Sequence, residues 1–407
     1  MIEECTPNVE MRLPKSRNWK NTLVKWSAGN LLHWHPVGSL LVRLPDGEEL
    51  RFGSRNGDDE PLLILKNYKV LAKSIRRGSI GFAEAYINGD ITCEDLTGLI
   101  RFFLANQESF EKTGSSLFKV RLPDRIAHLI KRNSRKGSRR NISDHYDLGN
   151  EFFQHWLDSK MVYSSGYFAK GARSLDEAQN AKIDLILGML HLKKGENLLE
   201  IGCGWGAFAN TAANNFGAKV KGITLSQEQL NHSRENALDL KPQPEFLLED
   251  YRDTKGKYDH IVSIEMIEAV GESYWKNYFE TLYDRLKPGG SAVIQAITID
   301  ESRYDQYRRQ ADFIQRYIFP GGMLPTKTII EQMANAAGLK LEKRILFGQC
   351  YARTLIEWRD RFEAAWPQIA DLGFDESFKR TWHYYLSYCE AGFAEGLVDV
   401  GAYQLRR

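Results

Sequence analysis

Cysteine is scarce in this chain. Five thiols in 407 residues (Cys5, Cys93, Cys203, Cys350 and Cys389) are scattered, odd in number and never in CxxC spacing. That excludes a disulfide frame, argues against a cysteine-based zinc site, and fits reduced thiols in a cytoplasmic protein. No stretch approaches the ~18 consecutive apolar residues that a membrane span needs. The opening Met1-Ile2-Glu3-Glu4-Cys5 is acidic and lacks the apolar segment of a secretory leader. A dominant charge is missing too: 55 Lys and Arg against 53 Asp and Glu leave a net +2, so any basic surface is local. His33-x-His35 has no further His, Cys or acid at ligand spacing, so no metal is expected. What remains is an ordinary soluble composition, 43% hydrophobic and 27% charged, in a chain long enough for two domains.

Residues 14 to about 34 mix Lys and Arg with Trp19, Trp26 and Trp34, an amphipathic lead-in. Residues 40–43 and 49–52 around Pro45-Asp46-Gly47 read as a β-hairpin, and 62–65 as another strand. Helices are expected over 68–77, ending at Gly78, and over 80–87; a third, capped by Asp95, carries Leu96, Leu99, Ile100 and Phe103 at helical spacing. These make a small α+β domain, residues 1–118, whose apolar helices are compatible with a homodimer. Residues 119–140 hold nine basic residues against one acid, Asp124, with Asn133-Ser134 and Gly137-Ser138 punctuating the run. This linker is either a solvated hinge or a contact to an anionic bilayer, where each Lys or Arg contributes ~1 kcal/mol. Nucleic acid is a poorer partner, because no binding signature accompanies the charge.

From 141 to 407 strands alternate with helices. Strands are expected at 197–201, 219–224, 246–248, 259–264 and 291–297, which implies a parallel sheet with ligands at the carboxyl ends. Beyond Ile297 the pattern reads as helices over 303–317, 328–337, 352–365 and 378–395. Between the first strand and its helix stands Glu200-Ile201-Gly202-Cys203-Gly204-Trp205-Gly206. A glycine turn there lets a ligand approach the backbone at a helix N-terminus. Its G-x-G-x-G spacing differs from the dinucleotide fingerprint, and with the preceding acid Glu200 it resembles the S-adenosylmethionine turn of Rossmann-like methyltransferases.

Several ordered stretches strengthen that resemblance. Asp144-His145-Tyr146-Asp147-Leu148-Gly149-Asn150, Met161-Val162-Tyr163-Ser164-Ser165-Gly166-Tyr167, Gly222-Ile223-Thr224-Leu225-Ser226 and Met266-Ile267-Glu268-Ala269-Val270-Gly271 stand in sequence. Tyr317-Ile318-Phe319-Pro320-Gly321-Gly322 and Tyr385-Leu386-x-x-Cys389 follow. Residues 141–407, and more weakly 81–86, are similar to the cyclopropane-fatty-acid synthase family. The resemblance implies an α/β fold: a Rossmann-like class I methyltransferase domain with a helical insertion and C-terminal part, preceded by the small α+β domain. It implies methyl transfer from S-adenosylmethionine to the cis double bond of a phospholipid acyl chain, giving a cyclopropane, or a methyl- or methylene-branched chain without ring closure. Rival readings are a small-molecule methyltransferase and a non-catalytic lipid-binding protein. The implied location is cytoplasmic, peripherally on the membrane.

The cofactor contacts so implied are Tyr163, Ser164, Glu200, Gly202, Gly204, Trp205, Gly206, Thr224, Leu225, Gln229, Asp250, Tyr251 and Arg252. Electron-rich rings such as Tyr163, Tyr167 and Trp205 suit a sulfonium cation. Asp250 also reads as a plain helix cap. The alkene has no proton to lose first, so the site must instead stabilise a carbocation and present a base afterwards. In the resembled family that base is a bound bicarbonate, whose ligands would here be Ser165, Glu268, Gln295, Ile297 and Tyr351. Three positions depart from the family: Ser165 replaces a cysteine, and Ala269 and Gln295 replace histidines. Gln hydrogen-bonds an anion but does not shuttle a proton near neutral pH. Cys389 aligns with a cysteine proposed as catalytic in the family, although a thiol has no evident task in cation chemistry. Tyr317, Phe319, Trp366 and Tyr385 are expected to line an acyl tunnel.

Overall fold

The computed structural model describes residues 36–53, 60–107 and 148–407. The tryptophan-rich lead-in, His33-x-His35, the basic run 119–140 and residues 144–147 lie outside them. The N-terminal unit is a four-stranded sheet in the order β2-β1-β3-β4, built from β1 (Ser39–Arg43), β2 (Glu49–Gly53), β3 (Leu62–Leu65) and β4 (Ile91–Thr92). Between β3 and β4 runs α1 (Lys69–Ile87), and α2 (Leu96–Ala105) follows β4. As expected, α1 is two helical arms separated at Gly78, which leaves helical geometry with φ 59° and ψ −141°. Asp95 caps α2 by accepting from the Gly98 N–H at 2.8 Å.

The second unit begins with a short helix, α3 (Asn150–Gln154), and α4 (Leu175–Leu190), whose cap Ser174 accepts from Glu177 N. Then come β5 (Asn197–Ile201), α5 (Ala207–Phe216), β6 (Lys219–Thr224), α6 (Gln227–Glu235), β7 (Glu245–Leu248) and β8 (Tyr258–Ile264). The one-turn α7 (Ile267–Val270), α8 (Trp275–Arg285) and β9 (Leu286–Ile299) follow. Leu198, Leu199 and Ile201 of β5 are buried, as befits a strand covered on both faces by helices.

Beyond β9 the chain departs from the all-helical expectation. In place of one helix over 303–317 there are α9 (Glu301–Tyr307) and a five-residue π-helical turn, Ile314–Ile318. After α10 (Lys327–Ala336) comes a strand, β10 (Lys340–Leu346); α11 (Gly348–Ala364), α12 (Trp366–Asp371) and α13 (Glu376–Ala394) precede a second, β11 (Val398–Arg406). The sheet is therefore mixed, in the order β10-β11-β9-β8-β5-β6-β7, with β11 antiparallel to both neighbours. Its parallel part, β9-β8-β5-β6-β7, directs its carboxyl ends to one side.

The N-terminal unit sits on α13. Glu390 accepts from Thr97 Oγ1 at 3.0 Å and pairs with Arg359, whose guanidinium also reaches Thr97 Oγ1 at 2.8 Å. Tyr86 OH lies 2.6 Å from His383 Nδ1, and Tyr317 OH donates to Glu84 at 2.6 Å.

Candidate active site

At the carboxyl end of β5 the backbone turns through Gly202 (φ 80°), Gly204 (φ 53°) and Gly206 (φ 90°) into α5. Positive φ at three alternate residues is a route only glycine follows without strain. The N–H groups of Gly202 and Cys203 both donate to Ile223 O, at 2.9 and 3.0 Å, which ties the turn to β6. Gly202, Gly204 and Trp205 face a cavity of about 560 Å³ that runs along the carboxyl ends of the sheet. Gly206 does not line it; a Cβ there would stand 3.0 Å from Ser233 Cβ, so its role is close packing.

Tyr163, Ser164, Thr224, Leu225, Gln229 and Tyr251 line the same cavity. Thr224 Oγ1 donates to Gln229 Oε1 at 2.7 Å, which holds both polar side chains at the end of β6. Trp205 Nε1 donates to Asn150 Oδ1 at 2.6 Å, and Phe153 stacks between Trp205 and Tyr163 with centroids 5.2 and 5.6 Å away. Asp250 and Arg252 do not line the cavity. The carboxylate and guanidinium two residues apart satisfy each other in a bidentate pair at 2.8 and 2.6 Å, leaving Tyr251 as the one member of that trio on the cavity wall. Tyr167 is likewise turned away, against Phe347.

Charge inside this cavity is concentrated and dry. Lys182, fully buried on α4, donates to Ser164 Oγ at 2.6 Å. Burial pushes its pKa down to about 8 against the pull of Glu265, Asp158 and Glu200. Glu200 is pushed up to about 8, again by burial, and its Oε2 is buried with no hydrogen-bond partner among the described residues. A buried carboxylate oxygen with nothing to accept from is costly unless a ligand supplies a donor. The amino group of S-adenosylmethionine is such a donor, so the residues present fit that cofactor.

Three of the five expected bicarbonate ligands converge on a group of the chain itself. Ser165 N donates to Glu265 Oε1 at 2.9 Å, Gln295 Nε2 to the same oxygen at 2.7 Å, and Tyr351 OH to Oε2 at 2.6 Å. These three donors, expected from the sequence around a free anion, are engaged by a resident carboxylate. Glu265 lines the cavity at the end of β8 and holds φ 48°, a left-handed conformation that costs a non-glycine residue ~1 kcal/mol or more. Glu268 also lines the cavity. Its Oε1 accepts from Ile297 N at 2.5 Å, while its buried Oε2 has no partner among the described residues.

These two acids differ in environment. Burial raises both, but three hydrogen-bond donors and the Lys182 ammonium oppose the rise at Glu265. Glu268 has only backbone N–H groups, those of Ile297 and its own residue, and faces the charge of Glu265, and burial pushes it up to about 8. The donors and the ammonium therefore favour the ionised form at Glu265 more than at Glu268. Glu265 is not among the residues expected from the sequence; its one local signal is a second acid at the carboxyl end of a parallel strand, three residues before Glu268.

The rest of the cavity is oily. Phe319, Tyr384, Tyr385, Leu355 and Ile314 line it, and α1 and α2 close its far side with Phe82, Ile100, Phe103 and Leu104. Tyr317 is 38% exposed and Trp366 packs on Phe362, so of the four aromatic residues expected along a tunnel only Phe319 and Tyr385 reach it. Cys389 lines the wall, and burial holds its thiol far above the range in which a thiolate forms.

The sequence matches the family described as mycolic acid cyclopropane synthetase over residues 133–403. It is 38% identical over 365 residues to tuberculostearic acid methyltransferase UfaA1 of Mycobacterium tuberculosis (strain ATCC 25618 / H37Rv), spanning 85% of this chain and 83% of that one. It is 36% identical over 342 residues to the cyclopropane-fatty-acyl-phospholipid synthase of Escherichia coli (strain K12), spanning 83% and 86%. The crystal structure of mycolic acid cyclopropane synthase CmaA1 complexed with SAH and CTAB is similar at TM-score 0.62 and 32% identity, covering 66% of this chain and 98% of that one.

Proposed function

The chain belongs to the mycolic acid cyclopropane synthetase family and is an S-adenosylmethionine-dependent methyltransferase of lipid chains, and we propose that its acceptor is the cis double bond of an unsaturated phospholipid acyl chain, with Glu265 as the proton acceptor. One observation carries the second half of this reading: a buried carboxylate, held by Ser165, Gln295 and Tyr351, faces an apolar cavity next to the glycine turn.

S-adenosylmethionine supplies an electrophilic methyl group on a sulfonium. The glycine turn admits it to the backbone, the open oxygen of Glu200 takes its amino group, and the rings of Tyr163 and Trp205 favour its positive charge. The apolar walls exclude water, which would otherwise trap the cation formed when the alkene takes the methyl. In that step a C–C bond forms, the S–CH₃ bond breaks, and its electron pair stays on sulfur. Glu265 then stabilises the cation and removes one proton. If the proton leaves the new methyl directly, the C–H pair closes a three-membered ring; if it leaves a chain carbon beside the cation, the pair makes a methyl-branched alkene; and if a hydride first moves from the methylated carbon to the cation, loss of a methyl proton makes a methylene branch.

Ring closure is the first reading, supported by the name of the Escherichia coli relative. The branched product is the second, favoured by the relative named as a methyltransferase, at 38% identity against 36%. Incubation with methyl-labelled cofactor and dioleoyl phospholipid, then ozonolysis of the product, separates them. Both products gain ~14 mass units from the added CH₂, but only the branched alkene is cleaved. Absence of any labelled lipid from a folded, cofactor-binding preparation refutes the acceptor assignment. The same reading places the protein on anionic membranes through residues 119–140. Reversing the charge of Arg132, Arg135, Arg139 and Arg140 together then abolishes sedimentation with anionic liposomes; unchanged sedimentation counts against it.

A further inference from the structure

The cavity has two differently charged ends. Around the glycine turn its charged lining is acidic apart from the enclosed Lys182. At the junction with the N-terminal unit the lining instead offers Arg303 from the first turn of α9, with Gln107 just past α2 and Gln306 and Gln310 nearby. Arg303 Nη2 donates to Gln107 Oε1 at 3.0 Å across that junction. Among the described residues Arg303 makes no ion pair, and that contact uses one of its five N–H donors. Of the acids beside it in the chain, Asp300 caps α9 through Ser302 N at 2.9 Å, Glu301 accepts from Thr328 N at 3.0 Å, and Asp305 is exposed. Asp312, which also lines the cavity, is occupied by Gln315 N at 2.9 Å and by Tyr388.

We propose that Arg303, positioned by Gln107, binds the phosphodiester of the phospholipid whose acyl chain fills the cavity. A guanidinium fork matches two phosphate oxygens, and the Gln107 oxygen, accepting from Nη2, holds the fork at the junction. An amphiphile would then be held at both ends: its anionic head at the junction of the two units, its double bond near Glu265. The inference rests on the phospholipid reading above.

The test uses the full chain and neutral-detergent micelles carrying dioleoyl phosphatidylcholine or dioleoylglycerol, which share acyl chains and differ in the phosphodiester. Initial rates are resolved into kcat and KM for the wild type, Arg303→Met, Arg303→Lys and Gln107→Leu. For Arg303→Met the ratio of KM on phosphatidylcholine to KM on dioleoylglycerol rises about tenfold or more, the loss expected for charge-assisted hydrogen bonds; Arg303→Lys recovers part of it, and Gln107→Leu shifts the ratio in the same direction by less. An equal KM rise on both lipids would show that Arg303 only shapes the wall, and an unchanged ratio would remove it from recognition. Wild-type turnover of dioleoylglycerol as good as that of phosphatidylcholine also overturns the proposal. Failure of the wild type on every lipid, with cofactor binding intact, overturns the phospholipid reading itself.

Discussion

Replacing Glu265 tests the chemistry most directly. In Glu265→Gln the side chain keeps its shape but loses its charge, and the amide nitrogen must face either the Gln295 amide or the Tyr351 hydroxyl, both of which now donate to a carboxylate oxygen. Loss of a positioned general base lowers kcat by about 10²- to 10⁴-fold, which is roughly 3–5 kcal/mol of barrier. Glu265→Gly goes further. Glycine adopts φ 48° freely, so the backbone gains ~1 kcal/mol, while the Ser165, Gln295 and Tyr351 donors are left around a vacated space. A small exogenous carboxylate, formate or bicarbonate, fits those donors, so activity of the glycine variant rises with its concentration whereas that of the wild type does not. The assay is label transfer from the cofactor to phospholipid in carbonate-free buffer, with cofactor affinity followed by calorimetry. A glutamine variant within about tenfold of wild type, or a glycine variant fully active without added anion, refutes the assignment of Glu265 as base.

Three further outcomes are expected. Glu200, raised to about 8, is protonated at pH 7 and must ionise to receive a cationic amino group; cofactor affinity therefore increases with pH up to about 8, calorimetry in buffers of different ionisation enthalpy detects proton release, and Glu200→Gln removes both effects. Arg359→Met strips the partner from largely buried Glu390 and from Thr97, lowering stability by about 2 kcal/mol after allowance for partial exposure, read by denaturant unfolding. Cys389→Ser lowers kcat by less than about tenfold, because a thiol held protonated is only part of the wall, and a loss as large as that of Glu265→Gln would contradict this view.

What could be read in advance was whatever is encoded locally. The turn at 202–206 announces itself because alternate glycines between a strand and a helix have few other uses, and the cap Asp95 acts within three residues of itself. β10 escaped notice because an exposed edge strand of sequence Lys-Leu-Glu-Lys-Arg-Ile-Leu has no hydrophobic face to declare it. β11 became visible only once its antiparallel pairing with β9 was known. The site divides in the same way. Thr224 and Gln229 are neighbours on one turn, but Glu265 owes its role to groups about 100, 30 and 86 positions away, and no spacing in the sequence announces that meeting.

The wall that α1 and α2 contribute to the cavity changes how the two units depend on each other. Phe82, Ile100, Phe103 and Leu104 belong to a part of the chain with no share in the glycine turn or the charged cluster, yet without them the oily compartment stands open along one flank. Severing the N-terminal unit would thus spare recognition of the nucleoside while letting solvent reach the reactive cation. The severed enzyme would then hydrate its acceptor and leave an alcohol, where the intact one leaves none.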